Sequence, residues 1–87
     1  MKYFEFEWDE GNELKVELRA SIEEIEVAFY DLKKRIYRTF FNRYQMLART
    51  NSGRYLSIIY QRKAKGIIRV ISVRNMMRKE KRRYLRK

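Results

Sequence analysis

The residues of this chain best suited to chemistry are arginines that fall inside predicted β-strands, where one face of a sheet must present them. Arg49 ends one such strand, Arg69 lies within the last strand and Arg74 ends it. A guanidinium group on an open sheet face can bind a phosphodiester through two parallel hydrogen bonds. We therefore expect these three arginines either to contact phosphate or to pair with acidic side chains of residues 1–31.

A second candidate is Glu80, the only carboxylate between Asp31 and the C-terminus. It shares one stripe of a predicted helix with Met77 and Tyr84. A lone carboxylate in a strongly positive field stays ionised, so it is suited to orient an arginine or to accept a proton. The alternative is an ordinary i,i+3 ion pair with Arg83.

Four tyrosines are interspersed among the basic residues of the chain, at Tyr44, Tyr55, Tyr60 and Tyr84. Such rings can stack unpaired bases. The alternative is that they are packing residues of a small, half-exposed sheet.

The composition excludes several kinds of chemistry. The chain has 87 residues with no cysteine and no histidine, which removes disulfides, thiolate zinc sites, thiol nucleophiles and imidazole bases. Only three glycines and no proline are present, so a glycine-rich phosphate loop is excluded. The adjacent pairs of acids do not resemble a catalytic dyad or a metal cage, so we expect neither a cofactor nor a two-metal nuclease.

The two signs of charge are segregated along the chain. Residues 1–31 contain three basic and ten acidic residues, a net charge of −7, and residues 32–87 contain nineteen basic and one acidic residue, a net charge of +18. Such a field favours nucleic acid or an acidic protein as partner, and the alternative is a solubilising surface. No long basic face is paired with a broad apolar one and no apolar run is long, so we expect a cytoplasmic protein without a membrane partner.

The elements that must position these residues follow from periodicity and turn signals. Alternation predicts a strand over 2–8, and helical spacing predicts helices near 10–19 and 22–33, the second begun by a capping box at Ser21 and Glu24. β-Branched and aromatic runs between turn residues predict strands near 36–41, 43–50, 54–62 and 67–74, and a last helix follows near 76–85.

These elements predict a single α+β domain over residues 1–87. Its order is β-α-α-β-β-β-β-α, with the first two helices on one face of an antiparallel meander and the last helix at its edge or on its other face. Periodic spacing assigns most of the core to Phe4, Phe6, Trp8, Leu14, Leu18, Ile22, Ile25, Phe29, Leu32, Leu56, Ile58, Ile68 and Val70.

Several motifs at these positions resemble the BrnT family of toxins, which are RelE-like ribonuclease toxins of type II toxin–antitoxin pairs. The start at residues 6–10 is similar to the family's F-E-W-D, and residues 21–29 are similar to its S-F-E-E-A-x-x-x-F helix. Residues 44–56 resemble its R-Y-x-x-I-G-R-T-x-x-G-R-x-L hairpin. Most specific are residues 68–84, which resemble I-R-I-I-S-A-R-x-A-x-x-x-E-R-x-x-Y.

The resemblance implies a RelE/BrnT-like fold and metal-independent cleavage of single-stranded RNA by the ribose 2′-hydroxyl, with growth arrest as the result. Arg49, Arg69 and Arg74 would then stabilise the transition state, Glu80 would be the base or an orienting group, and Tyr84 or Tyr60 a proton donor or a stacking platform. Further RNA contacts are expected from Arg54, Tyr60, Arg78 and Arg83.

The resemblance also implies a cognate antitoxin, BrnA-like, with a ribbon-helix-helix domain and an acidic contact segment. Operator DNA would be bound only through that antitoxin. The family's histidine-containing segment before the second helix has no counterpart in this chain. The alternative function is therefore a non-catalytic module that binds nucleic acid or an antitoxin.

Overall fold

A computed structural model describes residues 4–17 and 19–86. Within these residues, three α-helices, one short 3₁₀ turn and four strands follow one another along the chain. They are α1 (Glu10–Glu17), α2 (Ile22–Ala28), β1 (Arg35–Arg38), β2 (Arg43–Arg49), β3 (Tyr55–Arg62), the 3₁₀ turn (Ala64–Gly66), β4 (Ile68–Asn75) and α3 (Arg78–Leu85).

The four strands form one antiparallel sheet in the order β1-β2-β3-β4. This confirms the predicted meander, and it follows from the short connections, which can join only antiparallel neighbours. At the β2–β3 turn, Gly53 has φ +89°, a backbone conformation that residues with a Cβ rarely adopt. The pairing of Ser57 with Arg74 and of Leu47 with Ser57 places these residues on a common face.

The expected first strand over 2–8 is wrong in the part that the structure describes, and residues 2–3 lie outside it. Phe6 makes one isolated parallel bridge to Ile68 at the free edge of β4. The alternation at Phe4, Phe6 and Trp8 reflects partial burial against the core, because these side chains pack on it without a strand. Asp9 then ends the extended segment by accepting from the Gly11 amide at 2.8 Å at the start of α1.

α2 begins as predicted, since the Ser21 hydroxyl accepts from the Glu24 amide at 3.0 Å. It ends at Ala28, five residues before the predicted boundary. The Asp31 carboxylate accepts from the Lys33 amide at 2.9 Å, a local turn that competes with helix. Leu32 is consequently 98% exposed, so its assignment to the core is wrong.

The main core lies between α1, α2 and one face of the sheet. Among the predicted core residues, Ile25, Phe29, Leu56, Ile58, Ile68 and Val70 are buried, while Phe4, Phe6, Trp8 and Ile22 are partly buried. Leu18 and the side chain of Leu14 lie outside the described residues. The sequence list omitted Met46, Ala48, Tyr60 and Val73, which complete the sheet side of this core.

α3 lies on the opposite face of the sheet, above β2. Of the two predicted placements, the edge of the sheet and its other face, the second is confirmed. The buried residues of α3 are Glu80 and Tyr84. They lie above the β2 row that contains Gln45, Leu47 and Arg49, which alternate away from the main core. α3 therefore covers part of this second face.

Candidate nucleic-acid interface

The centre of the candidate site is an ion pair between the end of β4 and the first turn of α3. The Nη1 and Nη2 atoms of Arg74 donate to Oε1 and Oε2 of Glu80 at 2.6 and 2.7 Å. The Glu80 side chain is only 11% exposed, whereas that of Arg74 is 44% exposed. A buried carboxylate thus holds a guanidinium group that still faces solvent.

Two further donors complete the surroundings of Glu80. The Met77 amide donates to Oε1 at 2.9 Å, and Nε2 of Gln45 donates to Oε2 at 2.9 Å. Nε2 of Gln45 also donates to the Ser57 hydroxyl at 2.9 Å, so β2 and β3 both support the carboxylate.

The hydrogen bonds from Arg74 lower the pKa of Glu80 to about 2, against burial, which raises it. Glu80 also raises the pKa of Arg74. The carboxylate is therefore ionised at neutral pH, and its oxygens are engaged by donors. Of the two roles that the sequence left open, this geometry suits Glu80 to orient Arg74 and not to accept a proton.

The expected alternative, an ion pair of Glu80 with Arg83, is not what the structure shows. Arg83 lies with its guanidinium carbon 5.1 Å from the centre of the Tyr37 ring, on the β1 side of α3. Arg78 begins α3 and is exposed.

A second cationic cluster surrounds the ring of Tyr55 on the same face. Nζ of Lys81 lies 4.3 Å and the guanidinium carbon of Arg49 lies 5.6 Å from the ring centre. No carboxylate in the described part of the chain forms a salt bridge with either cation. Both charges therefore remain available to an anionic ligand.

Tyr84 is buried beneath this cluster. Its hydroxyl donates to Oδ2 of Asp31 at 2.6 Å, and its ring packs edge-on against Tyr55 at 5.8 Å. Burial and the Asp31 charge raise the pKa of Tyr84 above its usual value. Burial raises the pKa of Asp31, but hydrogen bonds from Tyr84 and from the amides of Arg49 and Lys33 lower it overall. The arrangement anchors α3 to the turn after α2.

A groove of about 530 Å³ opens beside this anchor. Its lining includes Asp31, Leu32, Arg49, Asn51 and Tyr84. The groove places the exposed guanidinium of Arg49 next to a concave surface.

Two predicted site residues pair with the acidic N-terminal part of the chain. Nη1 of Arg69 donates to Glu7 at 3.0 Å and to Asp9 at 2.8 Å, at the free edge of β4. Nη1 of Arg54 donates to Glu24 at 2.8 Å. For Arg69 this is the alternative that the sequence left open, whereas Arg54 was expected only as an RNA contact. Both guanidinium groups pair with acids of the N-terminal part, and neither takes part in the Arg74–Glu80 pair.

Tyr60 lies in the main core on the other side of the sheet. It is 4% exposed, stacks on Tyr44 at 5.4 Å and meets the edge of Phe29 at 5.1 Å. The sheet therefore separates its ring from the cations of the α3 side.

Sequence reasoning missed Gln45, Ser57 and Lys81 as parts of this site. A signal for the first two existed, because polar residues at inward positions of central strands require partners. The position of Lys81 depends on which face α3 covers, and the helical pattern alone does not give that.

Neither a model of a known protein family nor a curated protein matches the chain significantly in sequence. Among the residues that the structure describes, no group of three or more acidic side chains is placed to hold a metal ion. Within the same residues, every helix is too short or too polar to cross a membrane.

Proposed function

We propose that this chain is a RelE/BrnT-like toxin of a type II toxin–antitoxin pair, which binds single-stranded RNA on the α3 side of its sheet and cleaves it without a metal ion. The observation that carries the proposal is the Arg74–Glu80 pair, in which a solvent-facing guanidinium is held in a fixed orientation by a buried carboxylate. The motif resemblance over residues 6–84 and the four-stranded antiparallel sheet with its three helices support the family assignment.

The proposed reaction is a transesterification within the RNA. The ribose 2′-oxygen attacks the adjacent phosphorus, the bond to the 5′-oxygen breaks, and the products carry a 2′,3′-cyclic phosphate and a 5′-hydroxyl. The 2′ proton is lost to water, and water returns a proton to the leaving oxygen. The protein supplies positive charge where the phosphorane becomes dianionic, which is the largest single contribution in many such sites.

Arg74 and Arg49 are the cations proposed to act on this transition state. Glu80 is a positioning residue in the proposal, because its low pKa of about 2 and its four hydrogen bonds make it a poor proton acceptor at neutral pH. The cleavage rate should therefore show no ionisation of Glu80 between pH 5 and 9.

The test is incubation of the purified protein, free of antitoxin, with a labelled single-stranded RNA in EDTA. We expect fragments that end in 2′,3′-cyclic phosphate, and a loss of rate of at least tenfold in Arg74→Ala and Arg49→Ala. Arg62→Ala removes an exposed arginine at the end of β3 and is the matched control for net charge. Cleavage that requires added Mg²⁺, or that survives both substitutions, would contradict the mechanism.

A second candidate function is binding without cleavage. It is favoured by the absence of histidine and by the partners that already engage Glu80 and Tyr84. In that case the protein would bind RNA with an affinity that falls steeply with salt concentration and would leave the RNA intact.

The proposed partner is an antitoxin whose acidic segment covers the cations of the α3 side. The neighbouring open reading frame should encode a small protein with a ribbon-helix-helix pattern and such a segment. Adding that protein in equimolar amount should abolish RNA binding, and operator DNA should be bound only by the complex. If the antitoxin leaves RNA binding unchanged, it binds a surface other than the α3 side.

A further inference from the structure

The hairpin between β1 and β2 carries two exposed aromatic side chains at its tip. Phe40 is 83% exposed and Phe41 is 86% exposed. Their ring centres are 6.4 Å apart and the ring planes are inclined by 54°. Both rings are therefore open to solvent, and neither packs against the main core.

The backbone of this turn makes the choice of phenylalanine unfavourable. The Arg43 amide donates to the Phe40 carbonyl at 3.2 Å, and Phe41 and Asn42 both have φ +59°. Left-handed backbone at the two central positions defines a turn that favours asparagine and glycine. A bulky aromatic residue is strained there, and strain of this kind is concentrated at functional positions.

The charges next to the tip indicate the kind of ligand. Arg38 and Arg43 flank the turn and are both exposed, in the segment of the chain with net charge +18. Arg43 lies on the α3 side of the sheet, and Arg38, which pairs with Tyr44, lies on the main-core side. Aromatic rings beside arginines are the combination by which proteins bind unpaired bases and the phosphates between them.

The tip is continuous with the site described above. Arg43, Gln45 and Arg49 alternate on the same side of β2, and Gln45 contacts Glu80. Two residues of a strand span roughly 7 Å, so the turn begins within roughly 15 Å of Gln45 along the strand. A single-stranded RNA that reaches Arg74 can therefore extend along β2 to the tip.

We propose that Phe40 and Phe41 form a stacking site for unpaired bases of the same RNA strand that binds at Arg74. The inference rests on the proposed RNA-binding function and adds a second contact to it. The rings supply contacts to the bases, and Arg43, on the α3 side of the sheet, supplies a contact to the phosphates.

The experiment measures binding of a fluorescein-labelled 12-nucleotide single-stranded RNA by anisotropy, at several salt concentrations. The double variant Phe40→Ala, Phe41→Ala should bind at least about fivefold more weakly, because two stacking contacts are lost. The slope of the logarithm of the association constant against the logarithm of the salt concentration should not change, since no cation is removed. The variant with tyrosine at both positions should restore the affinity to within twofold.

Two further variants separate this effect from damage to the fold. Phe41→Asn places a residue that tolerates positive φ in the turn, so it should raise the thermal midpoint while it weakens RNA binding. Ile36→Ala shortens a half-exposed apolar side chain of β1 on the opposite face of the sheet and should leave RNA binding unchanged.

The results distinguish this proposal from the proposed function. RNA binding by the wild type with equal affinity in the double alanine variant would overturn the stacking site alone. A wild type that does not bind single-stranded RNA would overturn both. Loss of binding to phosphatidylserine vesicles in the double variant, with RNA affinity unchanged, would assign the tip to a membrane surface and overturn the proposal.

Discussion

The role of Glu80 can be tested through the pH dependence of stability. Replacing Glu80 with glutamine keeps the size of the side chain and removes its charge. The variant loses the charged partner of Arg74, and its amide group places donors next to the guanidinium, which has no acceptor to offer. Because Glu80 is buried, this change should be costly.

The magnitude follows from the pKa. The pKa of Glu80 falls from 4.5 to about 2 on folding, and each pKa unit corresponds to about 1.4 kcal/mol, so the ionised form stabilises the fold by about 3 kcal/mol at pH 7. Because the pKa is lowered in the folded state, this stabilisation is fully present above about pH 5 and is lost as the pH falls towards 2. At pH 3 roughly 1.4 kcal/mol should remain.

The assay is urea denaturation of the wild type and of Glu80→Gln at pH 7 and pH 3. The difference between the two proteins in free energy of unfolding should fall by about 2 kcal/mol from pH 7 to pH 3. Other carboxylates with lowered pKa values, such as Glu7 and Asp31, titrate in both proteins and cancel. Glu23→Gln, an exposed change in the first turn of α2, is the matched control and should have little effect at either pH.

A difference that is the same at pH 7 and pH 3, or that stays below about 1 kcal/mol at pH 7, would refute the reasoning, because an exposed ion pair is worth no more than that. It would mean that Arg74 is not held by Glu80 in solution.

Three further changes test other parts of the structure. Phe29→Ala empties the centre of the main core, so urea denaturation should show a loss of about 3–5 kcal/mol, and an unchanged midpoint would show that the core is elsewhere. Tyr84→Phe removes the hydrogen bond to ionised Asp31 and should cost about 1.5–3 kcal/mol in the same assay, and no loss would mean that this bond does not anchor α3. Arg69→Ala should leave RNA affinity within twofold of the wild type, because its guanidinium is engaged by two carboxylates, and a larger loss would place β4's edge in the interface.

The two central strands were the most predictable part of the fold, whereas β1 ends at Arg38, three residues before its predicted boundary. The turn residues around Asn51 and Gly53 and the alternation of apolar residues set β2 and β3 within a residue of their observed bounds. Hairpin connections are local, so the meander follows from the same signals. The helix starting at Ile22 was equally clear, because its capping box is a local interaction.

The errors arose where tertiary contacts or short polar turns overrode periodicity. Leu32 continues the helical stripe of α2, yet the Asp31 turn ends the helix first. Phe6 alternates with its neighbours as in a strand, yet it makes only one bridge, to Ile68. Periodicity reports which side chains meet apolar surface, and it does not report whether the backbone pairs continuously.

The Arg74–Glu80 pair could not be identified from helical spacing. The two residues are six positions apart, and they meet because β4 turns sharply into α3 between them. Spacing within the helix alone pointed to Arg83 as partner. Gln45 joins them from β2, thirty-five residues away in sequence from Glu80, so its contribution depends on strand register and on the face that α3 covers.

The segregation of charge along the sequence has a structural counterpart that sharpens the candidate interface. Acids of the N-terminal part pair with Lys63 and Arg69 at one edge of the sheet and with Arg54 at the β2–β3 turn, so these cations are largely neutralised. Arg74 instead takes its partner from α3, and the Arg49 and Lys81 cations face a tyrosine ring. The α3 side of the sheet thus keeps three cations, Arg49, Arg74 and Lys81, that no acid of the N-terminal part pairs with in the described residues. A polyanion drawn by the net charge of +11 should meet that surface first.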